Sequence, residues 1–173
     1  MITIDGGTGV ILHNGIEIAS DKMHDQWRYA DDESITSGTL TNWERPTESG
    51  SGAYLTGMSH SSGIFTFPKT GIYRVDFKAT FYKGSNVRYV GTIVKLSTDG
   101  GGSYGDLNRS YASIEAQSST NTYQTCIATH HVDVTNASTF RIRFEIAANT
   151  SANVYGANDD TRTTVTFNRI ANT

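Results

Sequence analysis

The sequence of 173 residues contains one literal nucleotide-binding pattern, but its surroundings argue against that chemistry. The run Gly100-Gly101-Gly102-Ser103-Tyr104-Gly105 matches the G-x-G-x-x-G spacing that holds a pyrophosphate at the N-terminus of a helix. The residues on both sides of this run are typical of strands rather than of a helix. We therefore expect a hairpin loop over residues 97–104 and no nucleotide cofactor.

Few residues are suited to holding a metal ion. His130 and His131 are adjacent, so on a strand they point to opposite faces and cannot share one ion. His130 falls in register with apolar residues, which favours a core or interface position, although three copies meeting on a trimer axis could hold an ion. Calcium would find oxygen ligands in two acidic runs, 31–33 and 159–160, but neither is an EF-hand loop. The metal candidates are therefore Asp159, Asp160 and His130.

The sequence shows no catalytic signature, and we expect the protein not to be an enzyme. The motifs G-x-S-x-G, H-E-x-x-H and the Walker pattern are all missing. Cys126, the single cysteine, lies mid-strand among apolar residues that raise a thiol pKa and suppress its reactivity. Pairs of carboxylates for glycoside hydrolysis are recognised by their separation in space, so a glycan depolymerase remains an alternative.

Aromatic and amide residues are frequent in the segments that are expected to form loops. Such pairs suit flat polar ligands, and in β scaffolds binding is often carried by loops. The competing interpretation is that tyrosine is commonly half-buried and that asparagine is a common turn residue. The candidates for a surface-binding role, with a host glycan as the partner, are Tyr104, Tyr111, Tyr155 and Asn158.

Composition and charge exclude several classes of partner. The net charge is -3 and the isoelectric point is about 5.9, and no basic cluster is present, so nucleic acid and anionic membrane surfaces are not expected to bind. No apolar run approaches the roughly 20 residues that a membrane-spanning helix needs. The first residues lack the basic and apolar regions of a signal peptide, so we expect release by lysis rather than by secretion.

Period-two alternation indicates strands from residue 64 onward. In the run 72–81, apolar residues alternate with polar ones, so one face should lie in a core and the other in water. Residues 87–98 are apolar on both faces, which indicates contact with another subunit. No helical period is found, and many short strands separated by turns predict an antiparallel sandwich or jelly roll. The candidates for the subunit interface are Tyr89, Ile93, Val94 and Phe167.

The N-terminal part is predicted to be a separate arm. Asn14-Gly15 lies between two short apolar runs, which is a strong hairpin signal, and we place a docking arm at 1–30 and the main domain at 31–173. Residues 21–63 are polar and irregular, with short strands expected at 27–30, 41–46 and 53–58. Trp27, Tyr29 and Trp43 are the expected apolar anchors of this region. The docking residues are Val10, Leu12, Ile16 and Ile18.

One stretch of the chain resembles a known superfamily. Residues 63–73, which read GIFTFPKTGIY, are similar to the central signature of the C1q and tumour-necrosis-factor superfamily. Residues 132–142 and 164–170 resemble its later strands in the expected order, with Phe167 at the core aromatic position. The resemblance covers roughly residues 40–173 and implies a ten-stranded jelly roll that assembles as a homotrimer. The collagen-like stalk and signal peptide of secreted C1q proteins are missing.

Two short segments, Ile2-Thr3-Ile4-Asp5-Gly6 at the start and the expected hairpin loop at 97–104, are similar in style to C1q-like modules in structural proteins of tailed phages. This resemblance implies a virion protein on the exterior of the particle, either a capsid decoration (cement) protein or a head fibre. Its partners would be its own copies and the major capsid or other virion proteins. The alternatives are the receptor- or glycan-binding tip of a tail fibre, or a free C1q-like lectin.

Overall fold

The computed structural model describes residues 2–4, 11–13, 16–17, 22–48, 53–54, 56–118 and 120–173. Within these residues the regular structure is entirely β, and no helix is long and apolar enough to cross a membrane. The strands are β1 (Ile2–Ile4), β2 (Ile11–His13), β3 (Ile16–Glu17), β4 (Met23–Tyr29), β5 (Glu33–Thr39), β6 (Trp43–Glu44), β7 (Ala53–Tyr54), β8 (Ser59–Ser61), β9 (Ile64–Thr66), β10 (Gly71–Lys83), β11 (Val87–Ser97), β12 (Gly105–Ile114), β13 (Thr122–Val134), β14 (Arg141–Val154) and β15 (Thr164–Ala171).

Twelve of the strands form one antiparallel sheet that folds over into two packed layers. In the first layer, called here the β11 sheet, the order is β12-β11-β14, and β5 and β9 pair with β14 while β8 pairs with β9. In the second layer, the β10 sheet, the order is β13-β10-β15-β4, and β6 and β7 pair with β4. The two layers join where the end of β14 pairs with the end of β10, at Phe81 opposite Val154.

The core lies between these two sheets, and it is built by strict alternation. On β10 the buried residues are Tyr73, Val75, Phe77, Ala79 and Phe81, as the sequence pattern predicts. Aromatic rings join the layers, with centroids 5.1 Å apart for Phe77 and Phe144 and 5.2 Å apart for Phe65 and Phe167. Such tilted ring pairs add specific geometry to the general gain from burying apolar surface.

The boundary of the predicted N-terminal arm is wrong at its C-terminal side. β4 pairs with β15 from Met23 opposite Arg169 to Arg28 opposite Thr164, so it is an integral strand of the β10 sheet. Its side chains Met23, Trp27 and Tyr29 are buried in the core, where three apolar residues cannot also dock on another protein. The jelly-roll domain therefore begins before residue 31.

The predicted N-terminal hairpin is confirmed at the level of the backbone. β2 pairs with β3, with Leu12 opposite Glu17 and His13 opposite Ile16, and β1 pairs with β2. Leu12 and Ile16 thus lie on strands of a small three-stranded sheet. Val10 and Ile18, the other two docking candidates, lie outside the described residues.

The described residues of the range 22–63 contain more strands than their polar composition predicts, and buried charged residues of β4 hold the neighbouring segments in place. Asp25 is fully buried and accepts hydrogen bonds from Trp27 Nε1 at 3.0 Å, the Met58 amide at 2.7 Å and Arg45 Nε at 3.0 Å. Arg28, also buried, pairs with Glu44 at 2.8 Å and with Glu48. A buried charge needs this degree of pairing, since an unpaired one is strongly destabilising.

The predicted strands in this region are partly confirmed. β4 includes residues 27–29 of the predicted 27–30 and starts earlier, while β6 and β7 are short strands within 41–46 and 53–58. The sequence analysis missed β5, whose only large apolar residue is Ile35. β5 is a strand because its backbone pairs with β14, with Gly38 opposite Ile146. The anchors Trp27, Tyr29 and Trp43 are all buried, as predicted.

Candidate binding surfaces

The structure corrects two of the four interface candidates. Val94 and Phe167 have no exposed surface in the single chain and belong to its core, so they have no area left to bury against another subunit. Ile93 is 6% exposed although it lies on the outward face of β11, opposite Arg109 and Glu145. Of the four, Tyr89 retains the accessible surface that a contact requires.

A different strand, β13, presents the exposed apolar surface that a subunit contact needs. Its inward residues Cys126 and Ala128 are buried, while its outward residues Tyr123 and Ile127 are 50% and 57% exposed. Burial raises the pKa of the Cys126 thiol to about 11, as the sequence predicts for an unreactive cysteine. The alternation of residues 122–134 carried the signal for the outward face, but the sequence analysis used only its inward half.

Three tyrosines pack together at one end of the β10 sheet and form what we call the tyrosine cluster: Tyr82, Tyr123 and Tyr155. The ring centroids lie 5.5 Å apart for Tyr82 and Tyr123, 5.2 Å for Tyr123 and Tyr155, and 5.3 Å for Tyr82 and Tyr155. The Tyr82 hydroxyl donates to Asp32 Oδ2 at 2.8 Å, and this bond, together with partial burial, raises the pKa of Tyr82. The guanidinium of Arg162 lies 4.0 Å from the Tyr155 ring centroid. The predicted candidate Tyr155 is therefore part of a packed aromatic group.

A second aromatic group, the outer tyrosine pair of Tyr89 and Tyr111, lies on the outward face of the β11 sheet. The two ring centroids are 5.7 Å apart and the rings are perpendicular, at 89°. Together with Arg109 and Ala147 they line a cavity of about 420 Å³. The sequence analysis placed Tyr111 in a loop, but it lies on β12, directly opposite Gly91. This pairing was hard to foresee, because the hairpin register shifts twice between β11 and β12.

The remaining surface candidates do not join either group. Tyr104 does not expose a free ring face for binding. Its hydroxyl group is buried and makes no hydrogen bond among the described residues, and its ring centroid lies 4.1 Å from the Arg143 guanidinium. The loop that carries it is the predicted hairpin loop, and Gly100 and Gly101 supply its positive φ angles of 82° and 105°. Asn158 is exposed in the connection between β14 and β15.

The proposed metal ligands are not brought together. In the described part of the chain, no three His, Cys, Asp or Glu side chains cluster in a way that could hold an ion. Asp160 pairs with Arg162 Nε at 2.7 Å, and both Asp159 and Asp160 are exposed. His130 is half-buried and lies opposite the core residue Val75. This agrees with its predicted inward register.

Comparison with known proteins identifies the architecture. The structure of murine APRIL at pH 5.0 superposes with a TM-score of 0.64 and 17% identity, covering 87% of this chain and 100% of APRIL. Eiger TNF from S. frugiperda gives a TM-score of 0.64 and 8% identity, covering 88% of this chain and 93% of its own. The chain has a tumour-necrosis-factor-like jelly-roll fold. The jelly roll predicted from residues 63–73 is thus confirmed as a fold.

The sequence itself matches no protein-family model and no curated protein. The likeness to APRIL and Eiger TNF therefore concerns the arrangement of strands in this jelly roll, and not its partners or activity. What the jelly roll binds must be argued from its own surfaces. The two that stand out are the outward face of β13, with the tyrosine cluster at its end, and the outer tyrosine pair.

Proposed function

We propose that this protein is a non-enzymatic, homotrimeric component of the outer surface of a phage particle, acting as a capsid decoration protein or head fibre. Its subunits associate through the outward face of the β10 sheet. The observation that carries the assembly is the exposure of Tyr123 and Ile127 on one face of β13. The placement on a phage rests on the resemblance of the sequence to phage C1q-like modules.

The outward face of the β10 sheet is suited to burial between copies of the chain. Across from Ile127 and Tyr123 on β10 lie Lys78 and Tyr82. Ile170 of β15, which is 46% exposed, adds a third exposed apolar side chain to the second sheet. A large aliphatic side chain at 57% exposure gains free energy when a partner covers it, because apolar surface is removed from water.

Several polar groups on this face are hydrogen-bonded within the chain, which lowers the cost of burying them. Arg74 lies 3.0 Å from Asp76, and the Thr129 hydroxyl donates to Asp76 at 2.7 Å. The hydroxyl groups of Thr80 and Thr125 lie 3.1 Å apart and hydrogen-bond to each other. Polar groups that are already hydrogen-bonded cost less to desolvate than unpaired ones.

The docking role is proposed for residues 1–21, because Met23 and the residues after it belong to the main sheet. The small sheet of β1, β2 and β3 uses backbone pairing of its own. A sheet of this size has little core, so contact with a larger body would stabilise it. In a decoration protein that body is the capsid, and the jelly roll then faces the solvent.

Light scattering on the full chain and on a variant lacking residues 1–21 tests the assembly. We expect each to have three times its own chain mass, which is 18.8 kDa for the full chain, and to melt at temperatures that rise with protein concentration. A folded monomer of the full chain at micromolar concentration contradicts the homotrimer. A trimer that needs residues 1–21 contradicts their assignment to docking.

Immunogold electron microscopy of particles from the producing culture tests the placement. Antibodies raised against the purified jelly roll should decorate the capsid exterior. Label confined to tail tips contradicts the decoration role and favours the fibre alternative. Particles without label contradict a virion protein altogether.

A further inference from the structure

The outer tyrosine pair is built around a glycine. Gly91 of β11 lies directly opposite Tyr111 of β12, and a Cβ atom at Gly91 would come within 2.3 Å of Tyr111 Cδ1. The Tyr111 ring therefore lies against the strand in the space that any other residue would fill. One ring face covers the backbone, and the side chain remains 48% exposed. The strand thus presents a flat aromatic surface to solvent.

The Tyr89 ring borders this surface at a right angle. Its ring is perpendicular to that of Tyr111, at 89°, and the Asn149 side chain accepts a hydrogen bond from its amide at 3.0 Å. On the other side of Gly91 lies Ala147 of β14, and its small side chain leaves space above the strand. The resulting cavity of about 420 Å³ is within the size range of small-ligand sites.

Polar and charged groups stand along the rim, and both carboxylates there are ion-paired. The Tyr111 hydroxyl lies 3.2 Å from Arg109 Nη1, and Arg109 also pairs with Asp106. Lys95 Nζ lies 3.0 Å from Asp106 and 3.4 Å from Glu145, and Glu145 also lies 2.7 Å from Arg143. Because each carboxylate already faces two cations, the rim needs no further positive charge and offers hydrogen-bond donors to a ligand. A ligand for this place should be polar and flat on one side.

We propose that the outer tyrosine pair is a binding site for a neutral pyranose saccharide. One apolar C–H face of the sugar ring packs on Tyr111, and its edge contacts Tyr89. The hydroxyl groups exchange hydrogen bonds with Arg109 and Asp106 at the rim. Nucleotides and acidic sugars fit less well, because their negative charge would compete with Asp106 for Arg109. The site lies on the sheet opposite to the proposed subunit interface, so the two proposals can fail separately.

Ligand-observed saturation-transfer NMR followed by calorimetry tests this proposal on the full chain. The probes are four neutral trisaccharides, namely maltotriose, mannotriose, galactotriose and triacetylchitotriose, with sialyllactose as the charged comparator. We expect at least one neutral probe to bind at millimolar concentration and sialyllactose to bind no more tightly. The absence of transfer to all four, or a preference for sialyllactose, overturns the proposal.

Variants locate the binding. Tyr111→Ala should weaken the affinity about tenfold or more, because the stacking surface is removed, whereas Tyr111→Phe should stay within about threefold. The control is Asn158→Ala, which truncates an exposed side chain outside both tyrosine groups and should leave saccharide affinity unchanged. Equal binding by Tyr111→Ala contradicts the site. A change in molar mass on Tyr111→Ala also contradicts it, since the pair would then be a subunit contact.

Discussion

The tyrosine cluster and the outer tyrosine pair use the same residue type on opposite sheets, yet their surroundings differ. In the cluster, three rings contact one another at interplanar angles of 38°, 42° and 74°. In the pair, two rings stand perpendicular beside a glycine and leave a cavity between them. The first arrangement lies on the face that also exposes Ile127, whereas the second borders an open depression with a polar rim.

This difference shows why a count of exposed tyrosines does not predict binding. An aromatic side chain on a sheet can stabilise an assembly or hold a small ligand, and its neighbours decide which. Ile127 beside the cluster favours a broad, dry contact with another subunit. Gly91 and the ion-paired side chains beside the outer tyrosine pair favour a small ligand that carries hydroxyl groups. Variants on each side can therefore separate the two roles.

The largest effect is expected from Ile127→Asp. A carboxylate at the centre of the proposed interface would face Lys78 on β10, and burying this charged pair in each subunit should cost about 2 kcal/mol per contact, because the loss of hydration exceeds the attraction between the two charges. Light scattering should then show a monomer. The control is Tyr111→Asp, an equally exposed position on the other sheet, which should remain trimeric. If both variants keep the mass of the parent, the β10 sheet is not the interface.

The next largest effect is expected at Gly91, the residue on which the Tyr111 ring packs. Gly91→Ala should destabilise the fold by roughly 1–3 kcal/mol, because the new methyl group would meet the Tyr111 ring and the Ser110 carbonyl at 2.6 Å. Chemical denaturation measures this, and saccharide affinity should fall with it. Gly105→Ala is the matched control, since nothing lies within 4 Å of its Cβ position, and it should stay within about 0.5 kcal/mol of the parent. Equal stability of the two variants would show that Tyr111 does not lie against Gly91.

A smaller difference in stability is expected when a hydroxyl group is removed from the tyrosine cluster or from the outer tyrosine pair. Tyr82→Phe should lose about 1 kcal/mol of stability, because it removes the hydrogen bond to Asp32, which also accepts the Gly156 amide at 2.9 Å. Tyr111→Phe removes only an exposed contact with Arg109 and should change stability by less than about 0.5 kcal/mol. Thermal melts of both variants at one protein concentration measure the difference. A larger loss for Tyr111→Phe would reverse the assignment of packed and open groups.

The smallest perturbation is a chemical label. Cys126 lies on the inward side of β13, next to the outward Ile127, and burial raises its thiol pKa to about 11. We expect no reaction with iodoacetamide at neutral pH in the folded protein and full reaction after unfolding. If Cys126 is also unreactive in Ile127→Asp, the loss of assembly leaves β13 folded. Rapid labelling of the parent protein would contradict the burial of this strand.

Sequence patterns were sufficient where local alternation and burial coincide. The strands β10, β13, β14 and β15 follow from their alternating residues, β11 follows from a run that is apolar on both faces, and the jelly roll follows from residues 63–73. The same patterns failed for β5, because a strand with one large apolar residue is held by backbone pairing rather than by its side chains. The patterns also failed for Val94 and Phe167, which are buried within the single chain. An apolar residue in a sequence does not show whether it will be buried by its own chain or by another subunit.

By itself the sequence determined the fold class, the inward faces of β10 and β13 and the unreactive nature of Cys126, because all three depend on neighbours along the chain. Only the tertiary structure decided which residues meet across strands. It placed Arg45 on the buried Asp25, brought Tyr155 to Tyr82 and Tyr123, and set Gly91 beneath Tyr111. These contacts join residues 20 or more positions apart, and a shift of one residue in register would turn each side chain to the opposite face. The two candidate surfaces of this protein are therefore products of strand pairing.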